Sequence, residues 1–333
     1  MDIAVTYDLR EEYLAAGLDA EQTAEFDRPE TIAAIAGALR RLGHRVQTVG
    51  NLAALTRALA AGRRWDLVFN IAEGLHGYGR EAQIPALLEG HDIPYTFSDP
   101  LTLCLALHKG MAKRVVRAAG VPTPDFAVVE DETDLAAVSL PWPLFVKPVA
   151  EGTSKGIAPT SRVTDREALE RAVRDVWARH RQPALVECYL PGREFTVGIL
   201  GGGRGARTLG VLEVLLGANA EPGCYSFDNK EHYEGRVHYR RAVDAAAEAA
   251  ADVALAAWRA LGARDAGRVD VRLDANGGAH FLEANPLAGL HPERSDLAIL
   301  ARLLGIEYDW LIATIVEEAL ARRAAPAPLA AAS

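Results

Sequence analysis

Two spacings of apolar positions alternate along the N-terminal third of the chain. Short runs rich in β-branched and aromatic residues are followed by longer stretches in which apolar residues recur every three to four positions. Residues 2–8 read as a strand, and "PETIAAIAGALRRLG" (29–43) as a helix with Pro29 in its first turn, where the missing N–H has no helical partner to lose. "HRVQTV" gives a second strand and 51–61 a helix. "WDLVFNI" (65–71) gives a third strand, 80–90 a third helix and "IPYTF" a fourth strand. Strands alternating with helices predict a doubly wound parallel sheet over residues 1–103.

The pattern then changes. A helix over about 107–119 stops at Gly120, and "VPTPDF" interrupts the chain twice with proline. Residues 125–186 hold short strands around one helix, 165–180, capped by Thr164 or Asp165. From 187 the strands look antiparallel, with "TVGILGGGRGARTLGVLEV" forming two strands across a glycine-rich turn. Gly201 to Gly205 could suggest a phosphate loop, but no Lys-Ser/Thr follows and a strand opens instead of a helix, which favours a hairpin. An Ala-rich helix covers 242–262. The expected fold class is α/β and α+β: a doubly wound domain (1–103), a central lobe (104–186), a C-terminal β-rich lobe (187–325), and a low-complexity tail (326–333) expected to fray.

Composition narrows the function. With 333 residues, two or three domains are expected, and a net charge of −9 argues against a nucleic-acid or anionic-membrane surface. Cys104, Cys188 and Cys224 are too scattered for a disulfide framework or zinc knuckle, which suits a cytoplasmic location. The acidic N-terminus "MDIAVTYDLREEY" does not read as a signal peptide, and no run approaches the roughly 20 apolar residues of a membrane span.

Two stretches carry chemistry. In "FVKPVAEGTSKGI" (145–157), Lys147 follows the apolar run Pro143 to Val146. An ammonium buried there needs an anion, and the small, hydroxyl-bearing loop 151–156 could close over one. In "GRVDVRLDANGGAHFLEANP" (267–286), Asn276-Gly277 signals a two-residue hairpin turn. That turn pairs 274 with 279 and places Asp270 opposite Glu283, roughly 4.5–5.5 Å apart at Cβ. Arg268, Asp270, Arg272, Phe281, Glu283 and Asn285 then share one face, and Val269, Val271, Leu273, Leu282 and Ala284 face a core. Like charges across a ladder need compensation. Either Arg268 and Arg272 supply it, or Asp270, Glu283 and the Asn285 amide hold a divalent cation, for which an oxygen-only set suits Mg²⁺.

A lysine seeking an anion, a small loop and a magnesium-type hairpin describe a nucleoside triphosphate held between two lobes. In order and spacing, "LHKGMAK", "FVKPVAEGTSKG", "ECYLPGREFTVGIL", "NKEHY", "GRVDVRLD" and "FLEANPLAGLHPERS" resemble the ATP-grasp enzymes, and among them the D-alanine–D-alanine ligases, over nearly the whole chain. The resemblance implies an ATP-grasp fold and an ATP-dependent carboxylate–amine ligase that works through an acyl phosphate, and also implies a homodimer. It assigns Lys109, Lys147, Glu151 and Ser154 to ATP. Glu187 and the Leu190 backbone would take adenine and Glu194 the ribose, although each acid read alone is a surface acid beside a turn. Lys230 would cover the γ-phosphate. Asp270, Glu283 and Asn285 become ligands of two Mg²⁺, and Arg268 and the Gly289 N–H stabilise an oxyanion, with Thr153 keeping a loop hydroxyl near the reacting groups. Ser295 would bind a substrate carboxylate, cap the following helix, or both.

The match departs from the family at substrate recognition. The family's His-Glu-Val-Ser type segment is "AEFDRPET" (24–31) here, where Asp27 or Glu30 would serve. The family tyrosine after Lys230 is Glu231, followed by His232 and Tyr233, and a histidine on that loop resembles relatives that join D-alanine to D-lactate. Lys155 is not the family's usual residue and has no assigned role. The sequence therefore predicts an amino-acid ligase whose substrates need not be two D-alanines. The rival readings are the cell-wall ligase itself and a non-catalytic ATP-binding regulator.

Overall fold

The structure, a computed structural model, describes residues 1–217 and 237–324. Among them, β1 (Asp2–Thr6) lies between β2 (Arg45–Gly50) and β3 (Leu67–Asn70) in a parallel sheet. Alternation along β1 explains why both faces are covered. Ile3 and Val5 enter a core with Ile35 and Leu39 of α2 (Pro29–Arg41). Ala4 enters the opposite core with Leu55 of α3 (Leu52–Ala60) and Leu88 of α4 (Gln83–Glu89). A short helix, α1 (Arg10–Ala15), was not evident in the apolar pattern.

The fourth strand expected at 93–97 is reduced to a single bridge between Val68 and Tyr95. Phe97 turns left-handed at φ 73°. Its N–H goes to the Asp265 carboxylate and the Tyr95 carbonyl to Arg322, so groups from the other end of the chain take the places of ladder partners. The helix expected over 107–119 is α6 (Lys109–Ala118), and a helix not expected, α5 (Pro100–Leu107), precedes it. His108 is extended between them and caps α6 by accepting from the Met111 N–H.

A second sheet runs in the order β4 (Phe126–Val129), β7 (Ala184–Cys188), β5 (Leu144–Pro148), β6 (Arg162–Val163), with antiparallel neighbours. Beside it lie α7 (Glu132–Ala137) and α8 (Arg166–His180), the latter capped by Asp165. Leu144, Val146 and Val186 pack on Leu169 and Val173 of α8. The period of two sends Phe145, Lys147 and Glu187 to the other face.

The third sheet is antiparallel, in the order β10 (Val237–Arg241), β9 (Arg207–Leu216), β8 (Glu194–Leu200), β11 (Ala266–Leu273), β12 (Ala279–Asn285). Gly201 to Gly205 turn β8 into β9, as the hairpin reading expects. Phe195, Val197, Val269 and Val271 pack on α9 (Ala245–Ala260). Chain end and chain start meet where α11 (Tyr308–Ala324), which follows α10 (Asp296–Leu303), joins the core of the first sheet through Leu311 and Ile315.

The β11–β12 hairpin brings Asp270 opposite Glu283 by a different route from the one expected. The turn is a three-residue loop, Ala275–Gly277: Asp274 pairs with Gly278 and Gly277 is left-handed at φ 86°. The Asp274 carboxylate draws the loop in by accepting from the N–H groups of Asn276 and Gly278. This shifts the register by one, and a bulge at Leu282 shifts it back between Val271 and Asp270. Between the two shifts the faces exchange. Phe281 is fully buried in the core, and Leu282 faces the cleft, correcting the assignment of both.

Candidate active site

Lys147 does have an anion, and it is a carboxylate of the chain. Its Nζ lies 2.8 Å from Glu187 Oε1, and Lys113 Nζ lies 2.7 Å from Glu187 Oε2. Glu187 is only 3% exposed, which rules out the surface-acid reading. Burial pushes its carboxyl up, but the two ammonium groups outweigh burial and hold it down at about 2. Two cations on one carboxylate leave a surplus positive charge. Burial therefore lowers the Lys113 ammonium to about 8, with Glu187 opposing and Lys147 reinforcing. A polyanion beside this triad would restore neutrality.

A cavity of about 90 Å³ opens next to it, with Phe145, Tyr189, Leu190 and Leu282 on its walls. The Phe145 and Tyr189 rings stack with centroids 6.4 Å apart. Glu194 pairs with Arg272 at 3.1 Å, so Arg272 is not a partner of the hairpin acids. Apolar walls with a few charged groups at one end suit a planar base carrying phosphates.

The polar face of the third sheet forms the far side of this cavity. Asp270 accepts from Thr196 Oγ1 at 2.8 Å and from Arg268 Nη1 at 2.9 Å. Arg268 also reaches Asp296 at 3.1 Å, and Lys109 Nζ lies 3.5 Å from Glu283. Burial lifts the Asp270 carboxyl to about 6, with Arg268 opposing and the Glu283 charge adding to the rise. Of the two alternatives for the hairpin acids, arginine pairing is seen at Asp270, while Lys109 stands beside Glu283. Glu283 leaves a repulsion that a divalent cation would relieve. Two carboxylates and an amide oxygen match the oxygen set Mg²⁺ prefers, so Asp270, Glu283 and Asn285 fit the ion.

The loop at 151–156 is strained and anchored. Thr153 and Ser154 are left-handed at φ 50° and 56°, a conformation that costs a β-branched residue on the order of 1–3 kcal/mol and needs support. Glu25 gives that support. It accepts from the Gly152 N–H at 2.5 Å and pairs with Lys155 at 3.2 Å and Arg80 at 3.1 Å. Lys155 also pairs with Glu151, and Arg80 donates to the Ala150 carbonyl at 3.0 Å. A Cβ at position 152 would collide with Glu25 Oε1, so the contact requires glycine. Glu25 is thus the acid of "AEFDRPET" that reaches the loop. Asp27 lines the second cavity, as Glu25 does, its carboxyl lifted to about 7 by burial, with a Thr31 hydrogen bond opposing.

That second cavity, of about 240 Å³, is bordered by Glu25, Asp27, Glu73, Glu81, Gly289 and Ser295. It meets the first at Thr153, Arg268 and Glu283, which line both. Ser295 stands at the N-cap position of α10 without capping it; its hydroxyl accepts from the His291 N–H at 2.9 Å. A Cβ on Gly289 would lie 2.9 Å from that hydroxyl, so the chain comes close only because residue 289 is glycine. Lys230 and His232 lie outside the described residues. Sequence reasoning overlooked Lys113, which its spacing of four from Lys109 puts on the same face of α6. It also overlooked Glu25 and Arg80, whose partners are remote in sequence and leave no local signal.

The geometry can be compared with known proteins. The family model of the D-ala D-ala ligase C-terminus matches residues 115–317. The D-alanine–D-alanine ligase of Caulobacter sp. (strain K31) is 36% identical over 305 residues, covering 88% of this chain and 89% of that protein. The D-alanine–D-alanine ligase of Bordetella petrii is 35% identical over 278 residues, covering 82% and 81%. Among solved structures, D-alanine–D-alanine ligase from Bacillus anthracis complexed with ATP has a TM-score of 0.72 at 22% identity, covering 97% of this chain and 99% of that one. VanG D-Ala:D-Ser ligase from Enterococcus faecalis has a TM-score of 0.73 at 18% identity, covering 96% and 99%.

The fold is the ATP-grasp fold, and the chain is an ATP-dependent, ADP-forming carbon–nitrogen ligase acting on small molecules. It belongs to the D-alanine–D-alanine ligase family. Among the described residues no helix is long and apolar enough to cross a membrane.

Proposed function

We propose that the chain phosphorylates a substrate carboxylate with ATP and then joins the resulting acyl phosphate to an amine. The observation that supports this most directly is the junction of the two cavities at Thr153, Arg268 and Glu283. Nucleotide on one side and substrate on the other would meet there, and positioning with charge neutralisation is most of what phosphoryl transfer requires. Lys147 and Lys109 would hold phosphates, with Glu151 and Ser154 in the loop above them. Glu187, Leu190 and Glu194 would line the base and ribose end. Lys230 would act from the segment after β9.

Asp270, Glu283 and Asn285 would hold Mg²⁺, which when bound neutralises phosphate charge. Arg268 and the Gly289 N–H would steady the oxyanion formed when the amine attacks. Asp27, Thr153, Ser295 and His232 are the proposed contacts of the two substrates. The organisation into three domains, a cytoplasmic location and a homodimer belong to the same reading, on the family resemblance. Because the relatives are named for D-alanine, D-alanine in both roles is the first pair to test. ADP release measured across amino acids of both chiralities tests the proposal. Wild type should release ADP with at least one pair and Lys147→Ala with none; ADP release that Lys147→Ala leaves intact would overturn it.

A further inference from the structure

The larger cavity is lined by groups of both charges. Arg28 and Arg294 act on His291, whose N–H meets the Ser295 hydroxyl, while Glu25 and Glu81 act on Glu73. Of these three acids only Glu25 is engaged, by Arg80, Lys155 and the Gly152 N–H. A substrate ammonium at Glu25 would have to displace Lys155 and release the loop. Glu73 and Glu81 are different: among the described residues neither makes a hydrogen bond or an ion pair. Arg80 acts on both, but its guanidinium is engaged with Glu25 and the Ala150 carbonyl.

Burial is the main cause that raises both carboxyls; the Glu81 and Glu25 charges push Glu73 further up, and Glu81 reaches about 7 although Arg80 and Lys109 oppose the rise. Carboxylates desolvated without a partner are unfavourable, and an entering cation is the direct remedy.

We propose that Glu73 and Glu81 together receive a cationic amino group of the substrate, so that the cavity selects an amino acid carrying a second amino group. The inference rests on the ligase reading for its reaction and on the two unpaired carboxylates for its specificity. Glu25 keeps the loop in place and Glu73 and Glu81 read the substrate, while Arg28 and Arg294 take the carboxylate end of the second substrate. A neutral side chain such as that of alanine would leave both acids without a partner. The two residues are specificity-determining and line the cavity that Glu283 also borders.

The test uses the full chain, with Glu73→Gln and Glu81→Gln. ADP release is measured with alanine, 2,4-diaminobutyrate, ornithine and lysine in both chiralities. In parallel, thermal unfolding is followed with and without ethylenediamine, a diamine that is cationic at neutral pH and needs no turnover. We expect kcat/KM for a diamino acid to exceed that for alanine at least tenfold in wild type. Each variant should lose that preference through KM with kcat little changed. Without ligand both variants should melt at or above the wild-type temperature, since repulsion is removed, and ethylenediamine should raise the Tm of wild type only. Alanine used as well as every diamino acid, or a preference that survives both substitutions, overturns the inference and leaves the ligase reading standing. Absence of ADP with any substrate overturns the ligase reading, and the ethylenediamine shift then decides this inference: equal shifts in wild type and variants reject it.

Discussion

Asp270 and Glu283 face each other across the β11–β12 ladder, and each leans on a different cation, Arg268 at 2.9 Å and Lys109 at 3.5 Å. The acids are thus kept apart in charge but adjacent in space. Burial and the Glu283 charge lift the Asp270 carboxyl from 3.8 to about 6, with Arg268 opposing.

Stability should depend on pH through Asp270. Because the folded pKa of Asp270 lies above the unfolded one, the folded chain binds this proton more readily. Its contribution favours folding below about pH 4 and is lost as pH rises through about 6. The full shift corresponds to roughly 3 kcal/mol. Asp270→Asn should flatten this part of the stability curve without Mg²⁺ when urea unfolding is followed from pH 4 to pH 7. An unchanged slope would remove the physical argument for a strained carboxylate pair.

The same pair should matter more for rate than for folding. Glu283→Gln and Asp270→Asn should each lower ADP release by about a hundredfold or more, while neither destabilises the ligand-free chain by more than about 2 kcal/mol. Larger losses in urea unfolding would make both acids structural partners of Arg268 and Lys109.

The triad on the nucleotide side should behave in the opposite way. Glu187→Gln leaves two buried ammoniums facing no carboxylate and should cost about 3 kcal/mol or more of stability. Lys147→Ala leaves the Glu187–Lys113 pair intact, should cost less, and should weaken ATP binding at least tenfold. Calorimetry and urea unfolding separate the two effects. Since the folded pKa of Glu187 is about 2 against an ordinary 4.5, its stabilisation is present above about pH 4.5 and is lost as pH falls through about 2.

Glu25→Gln should loosen the loop it anchors. Amide exchange across 151–156 should speed up in the variant, because Gly152 loses a charged acceptor and Lys155 a partner. Exchange in the helices of the first sheet should stay as in wild type. Unaltered loop exchange would mean that Glu25 does not hold the loop.

Local pattern revealed most of the elements and the hairpin carrying Asp270 and Glu283, because period-two alternation and turn chemistry act over a few residues. It failed where distant groups decide. Tyr95 and Phe97 read as a strand, yet Asp265 and Arg322 take their backbone groups. A two-residue turn would give the Asp270–Glu283 pairing directly, whereas Asp274 builds a longer loop and the Leu282 bulge cancels the slip. Lys147 announced an anion, but nothing local identified Glu187 as its partner. Glu25, Arg80 and Lys155 come together only in three dimensions.

If a carboxylate is activated as an acyl phosphate at the junction of the two cavities, one of its oxygens must leave with phosphate. Oxygen-18 placed in the carboxylate of whichever amino acid supports ADP release makes that transfer visible. One labelled oxygen should pass to inorganic phosphate for each amide bond formed. Amide formation with no label in phosphate would rule the acyl phosphate out.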